Sequence, residues 1–185
     1  MLSCINLNNR LNIKMIKIVS LTLFLFLLST FLFAKDRGYI VEVGDMAPDF
    51  EMEFTDGQKT KLSELRGQIV ILQFTASWCS VCRLEMPHLE KDVWQKYKDK
   101  GVLLIGVDRD EPLETVIEFQ KKIGTTYPLA LDPGADIFGL FANKKAGVTR
   151  NVVIDKTGKI VFLTRLFEEK EYQEMLKVIE NLISL

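Results

Sequence analysis

The sequence predicts an α/β protein with a central mixed β-sheet flanked by helices. Three observations carry that expectation. Ile69-Val70-Ile71-Leu72-Gln73-Phe74 and Val102-Leu103-Leu104-Ile105-Gly106-Val107 are short, nearly unbroken apolar runs, the mark of strands buried on both faces. Segments with helical spacing of apolar residues follow each of them. Later, Asn151 to Ile154 and Lys159 to Leu163 flank Asp155-Lys156-Thr157-Gly158, which reads as an antiparallel hairpin.

Taken in order, residues 1–34 read as a targeting segment. Lys14 and Lys17 give a basic start, the apolar run from Ile18 to Phe33 follows, and Ala34 precedes the charged Lys35-Asp36-Arg37. This is the layout of a secretory signal peptide. An uncleaved N-terminal anchor is the alternative, although the run of 16 residues falls short of the ~20 a spanning helix needs. Met15-Ile16-Lys17 offers a second start for the same signal. Either form places the body in the periplasm or another extracytoplasmic space.

Residues 35–43 are expected to be a linker, and 44–185 a single domain. The Thr55-Asp56-Gly57-Gln58 turn within Met46–Leu65 predicts an N-terminal β-hairpin extension. Leu62-Ser63-Glu64-Leu65-Arg66-Gly67 reads as one helical turn closed by glycine. After Phe74, the loop Thr75–Cys79 leads into a helix reaching about Lys100. Leu84, Leu89, Val93, Trp94 and Tyr97 form its apolar stripe, and Pro87 should kink it. Glu111 to Ile123 is an amphipathic helix with Val116, Ile117 and Phe119 inward. Tyr127–Leu131 is a short strand, Ala135–Phe141 a short helix, and Tyr172–Leu182 a closing helix with Met175, Leu176, Ile179 and Leu182 periodic.

The chain has 185 residues and a formal charge of −1. Residues 1–34 contain Arg10, Lys14 and Lys17 and no acid; removing these 3 from the 24 basic residues leaves 21 against 25 acidic ones, or −4. A weakly acidic body excludes the concentrated basic face of a nucleic-acid binder.

Of three cysteines, Cys4 lies in the leader, so the mature chain keeps Cys79 and Cys82. A bridge across two residues closes too short a loop to stabilise much. The pair is therefore placed for chemistry. Zinc lacks ligands, since His88 is the single histidine and reads as a surface residue. No metal and no cofactor are expected.

Cys79-Ser80-Val81-Cys82 follows a buried strand and opens a helix. At a helix N-terminus, unpaired N–H groups and the macrodipole favour an anion, and such thiols ionise at roughly pH 3.5–7.5 instead of ~8.5. Cys79 is expected to attack and Cys82, one turn in, to resolve. Trp78 either shields the thiolate and offers partners a flat contact or simply packs. Glu85, one turn beyond Cys82, is either a surface charge or a buried group that handles the resolving proton.

Ala47-Pro48-Asp49-Phe50, the Leu62–Gly67 turn, the strand, and Trp78-Cys79-Ser80-Val81-Cys82-Arg83-Leu84-Glu85-Met86-Pro87 together resemble the TlpA/ResA branch of thioredoxin-like disulfide reductases, in the redoxin superfamily related to AhpC/TSA. The likeness runs from about Gly44 to the C-terminus. It implies a thioredoxin-like fold, Cys79 as nucleophile, Cys82 as resolving thiol and Glu85 as the acid near the pair. Two departures stand out. Gln73 occupies the place of the buried carboxylate that thioredoxins carry six residues before the first cysteine, which makes Glu85 the better proton carrier. The place of the family's cis-proline falls on Thr149, in Gly147-Val148-Thr149-Arg150-Asn151. A non-proline cis bond costs ~3 kcal/mol, so a trans Thr149 is expected in a loop that still faces Cys79. Arg150 is similar, one residue out of step, to the arginine that peroxiredoxins set near their reactive cysteine.

The expected function is thiol–disulfide exchange by a monomer acting on cysteine-containing exported proteins and renewed by an upstream redox partner. A thiol peroxidase and a redox-gated binding module are the alternatives. Peroxiredoxin sites set Pro-x-x-x-Thr ahead of the cysteine; here Thr75 is present but position 71 is Ile71.

Overall fold

The two apolar runs lie side by side at the centre of the sheet. In the computed structural model, which describes residues 37–185, Ile69–Thr75 (β3) and Val102–Arg109 (β4) pair in parallel, Ile69 opposite Val102 and Gln73 opposite Gly106. Residues 1–36, with the expected leader, Cys4 and Lys35, lie outside the described residues. Glu51–Phe54 (β1) and Lys59–Lys61 (β2) form the N-terminal hairpin, and β1 joins the sheet antiparallel to Leu129–Asp132 (β5). Arg150–Ile154 (β6) pairs antiparallel with β3, and Ile160–Leu163 (β7) with β6. The order is β2-β1-β5-β4-β3-β6-β7.

Strand alternation divides the core in two. Ile69, Ile71, Leu104 and Val153 pack with Ser80–Leu89 (α1), Leu113–Ile123 (α2) and Glu169–Ser184 (α4). Val70, Leu72, Phe74, Ile105 and Val107 pack with Asp136–Phe141 (α3) and with Met52 and Leu62 of the N-terminal part. On α1 the buried residues are Cys82, Glu85, Met86 and Leu89, a 3.6-residue stripe. Leu84, expected inside, is 65% exposed because it stands two residues out of that stripe. Ile117 is likewise exposed, since α2 turns Val116 and Phe119 inward.

Pro87 does not end its helix. Glu90 N–H is shared by the carbonyls of Met86 and Pro87, and the chain continues as a π-helical turn, Glu90–Trp94, before Gln95–Tyr97 and Lys98–Lys100. Residues 37–43, expected to be linker, carry contacts into the body. Ile40 N–H donates to Phe141 O, and the Tyr39 hydroxyl to Thr164 O at 2.6 Å. Further along, Gly44 N–H donates to Ile160 O and Ile160 N–H to Asp45 O, lining the outer side of β7.

Candidate active site

β3 ends beneath the start of α1, and the turn between them carries the cysteines. Cys79 is the N-cap of α1 with extended backbone, and its sulfur accepts the Cys82 N–H at 3.1 Å. A sulfur thus takes the capping place that a side-chain oxygen usually fills. The turn is held from two directions. Glu111 accepts from Ser77 N–H at 2.5 Å and from its hydroxyl at 2.6 Å, while Arg83 donates to Ser77 O at 2.6 Å.

Cys79 and Cys82 are disulfide-bonded, with Cα atoms 5.3 Å apart. Cys79 is 8% exposed and Cys82 fully buried, so an incoming sulfur meets Cys79 first. Trp78 stands beside it, 61% exposed.

Thr149 faces the pair. Its Oγ1 lies 3.1 Å from Cys79 Sγ and 3.2 Å from Cys82 Sγ. Disulfide sulfurs carry no hydrogen, so the hydroxyl is the donor to both. Among the described residues no peptide bond is cis, and Thr149 makes this approach from a trans backbone.

Glu85 is buried, on the sheet side of α1. Its Oε1 accepts from Asn151 Nδ2 at 2.7 Å and its Oε2 from Gln73 Nε2 at 3.3 Å. Gln73 and Asn151 are opposite one another on β3 and β6, so one carboxyl spans a cross-strand pair. The chain of contacts runs on: Tyr127 OH donates to Gln73 Oε1 at 2.7 Å, and Asn151 Nδ2 also reaches Thr164 Oγ1 at 2.9 Å. Gly106 makes room for this. A Cβ there would stand 3.3 Å from the Tyr127 ring and overlap Leu129. Burial pushes the Glu85 carboxyl up to about 7, although the hydrogen bonds from Asn151 and Gln73 favour its ionised form. Near the same end of the sheet, Asp108 is fully buried on β4. Burial, then the charges of Glu111 and Asp132, push it up to about 8.

The structure therefore brings Cys79, Cys82 and Thr149 into one contact. It sets Trp78 at the rim and Glu85 under the helix, where its hydrogen bonds go to amides. Arg150 is buried, with its guanidinium over Tyr39 and Phe138 and donating to the carbonyls of Gly147 and Arg37. His88 is exposed, its ring 5.0 Å from Phe167. Among the described residues no cluster of three or more His, Cys, Asp or Glu could hold a metal. Asn151, Tyr127 and Glu111 are site-shaping residues that the sequence reading missed. The available signal was a polar residue inside an apolar strand, at Asn151 as at Gln73.

The AhpC/TSA family profile matches residues 43–163. A thiol-disulfide oxidoreductase ResA from Bacillus cereus is 36% identical over 121 residues, 65% of this chain and 68% of its own. A Bacteroides thetaiotaomicron protein solved in solution, provisionally named a protein disulfide isomerase, superposes with a TM-score of 0.78 at 58% identity, covering 80% of this chain and 94% of that one. The thioredoxin domain of a thiol-disulfide oxidoreductase from Bacteroides vulgatus gives 0.65 at 25% identity over 75% and 99% of the two chains.

Proposed function

The chain belongs to the AhpC/TSA family and is a thiol–disulfide oxidoreductase of thioredoxin-like fold, and we propose that it exchanges disulfides with cysteine-containing exported proteins through Cys79 and Cys82. The observation that carries the reading is Cys79 at the N-cap, its sulfur on the Cys82 N–H and the residue 8% exposed where Cys82 is fully buried.

Reduced, the Cys79 thiolate attacks one sulfur of a substrate disulfide. A mixed disulfide forms, and the other substrate sulfur leaves as thiolate. Cys82 loses its proton and attacks Cys79 Sγ. The Cys79–Cys82 bond forms and the second substrate thiolate leaves. Two electrons have passed to the substrate, and an upstream dithiol returns them by the reverse steps. The Thr149 hydroxyl and Cys82 N–H stabilise charge on Cys79 Sγ in both directions. Glu85, one turn beyond Cys82 on the same buried stripe of α1 and pushed up to about 7, is the group we assign to take or return the Cys82 proton at neutral pH.

Two serine variants test the assignment. Cys79→Ser should form few adducts with a disulfide substrate, because a serine hydroxyl is barely ionised. Cys82→Ser should attack and then accumulate mixed disulfides visible on non-reducing gels. Equal titration of both thiols with no trapped adduct overturns the exchange mechanism. Rapid hydroperoxide consumption by Cys82→Ser would point to a peroxidase instead. Export is part of the proposal and rests on residues 1–34. Mass spectrometry of protein from its host should find an N-terminus near Lys35. An intact cytosolic chain starting at Met1 or Met15 overturns it.

A further inference from the structure

The loop 143–149, Asn143-Lys144-Lys145-Ala146-Gly147-Val148-Thr149, delivers the Thr149 hydroxyl to both sulfurs; Val148 anchors it in the core, Asn143 N–H donates to Gly38 O, and Thr149 O accepts from Leu166 N–H. The loop contains no proline, and a glycine stands two residues before Thr149. Its few local restraints are Ala146 N–H on Asn143 O and Lys145 N–H on Asn143 Oδ1. The remaining order is supplied from outside.

Two guanidinium groups grip the loop's carbonyls. Arg109, at the end of β4, donates Nη1 to Ala146 O at 3.1 Å and Nη2 to Lys144 O. Arg150, at the start of β6, donates Nη1 to Gly147 O and Nη2 to Arg37 O. Three of the loop's carbonyls are thus held by arginines from the strands on either side of β3. Both guanidiniums also lie over one ring, Phe138 of α3, at 4.5 Å for Arg109 and 5.6 Å for Arg150; Arg150 lies 5.0 Å from the Tyr39 ring as well. The ion pairs among the described residues involve neither. Arg150 is 1% exposed, and a buried guanidinium matched only by carbonyls and ring faces is costly to keep. Its placement against the backbone just before Thr149 gives that cost a use.

We infer that Arg109 and Arg150 are positioning residues for disulfide exchange, a two-arginine clamp that fixes the 143–149 loop and aims the Thr149 hydroxyl at the cysteine sulfurs. The inference rests on the exchange reading above. A fork of N–H donors on a flat cation suits the task, because it bonds two acceptors while stacking on a ring; lysine keeps the charge and loses both properties. The clamp acts through Thr149. The hydroxyl donates to sulfur, and a hydrogen bond to the thiolate lowers the pH at which Cys79 ionises.

The test is the alkylation rate of Cys79 against pH in reduced protein, with the potential of the Cys79–Cys82 couple measured beside it. The variants are Arg109→Lys, Arg150→Lys, Thr149→Val and each arginine change combined with Thr149→Val. Thr149→Val should lower the alkylation rate about three- to tenfold below the thiol pKa, a shift of up to about one pH unit. Each lysine variant should reproduce part of that loss. Combined with Thr149→Val, neither should add to it, because the hydroxyl they aim is already gone. Arg109 is only half-buried, so Arg109→Lys keeps the test alive if Arg150→Lys fails to fold. Lysine variants that titrate like the unaltered protein overturn the clamp. So does a lysine effect that persists undiminished in the Thr149→Val background, which would place the arginines' action in direct electrostatics. Loss of exchange by the unaltered protein is a separate result and counts against the exchange reading alone.

Discussion

Helix α1 and the 143–149 loop reach the same two sulfurs by different means. α1 carries its own order: a hydrogen-bonded helix, a buried stripe of Cys82, Glu85, Met86 and Leu89, and a cap supplied by Cys79 itself. The loop takes part of its order from β4, β6 and α3, through Arg109, Arg150 and Phe138. The difference teaches that stability and reactivity are lodged in separate places at this site. Damage beneath α1 should act first on stability, whereas damage to the loop's aim should act first on chemistry.

Met86→Ala is expected to have the largest effect. Met86 is fully buried between α1 and the sheet, and truncation of such a side chain costs about 2–5 kcal/mol. Urea unfolding should show that loss, while the folded variant keeps the Cys79 titration of the unaltered protein. A shifted titration would show that the two halves of the site are coupled.

Glu85 belongs to the helix half but reports on both. Its folded pKa, about 7, is raised above the ordinary carboxyl value of 4.5. The folded state therefore holds the proton more tightly, and the stability this gives is complete below about pH 4.5 and lost as pH rises through 7. The span corresponds to about 3 kcal/mol. Melting temperature should fall across that window, with Asp108 extending the fall toward pH 8. Glu85→Gln should remove the Glu85 part of the slope and move the pH profile of mixed-disulfide release. A slope unchanged by the substitution would mean that Glu85 is ionised in the folded protein.

Most of the helix half was legible in the sequence. The strand–Cys–helix arrangement of Ile69 to Leu89 is local, written in consecutive residues whose apolar spacing and cap can be read directly. Thr149 was also reachable, because a family position could be counted back from Asp155. The exposure of Leu84 and Ile117 was not, since an approximate stripe does not say which side of a helix the sheet will take. The partners of Glu85 were hidden for a stronger reason. Asn151 lies 66 positions along the chain from Glu85, and only strand pairing sets it opposite Gln73. The grip on the loop is farther still from sequence reasoning, because its acceptors are backbone carbonyls, which look alike in every sequence.

The smallest expected effect sharpens the comparison from the loop side. A Cβ on Gly147 would meet nothing within 4 Å, and its φ lies outside the left-handed region. If the carbonyl grip holds this loop, glycine's freedom is not needed there. Gly147→Ala should then change stability by no more than about 1 kcal/mol, with stabilisation the favoured sign. Its Cys79 titration should match that of the unaltered protein. A marked shift in that titration would show that the loop must flex during exchange.

The sheet's two borders bear on how a substrate protein can be met. β2 is three residues long and shows two lysines, Lys59 and Lys61, features that discourage another strand from adding on. At the far border, the backbone of Gly44 and Asp45 already occupies Ile160. The edges left for an added strand are therefore the three residues of β2 and the part of β7 beyond Ile160. Trp78 is exposed beside the reactive pair, so a client protein met there would be touched at a point. Recognition of that kind would read the neighbourhood of one exposed disulfide and be indifferent to the fold that carries it.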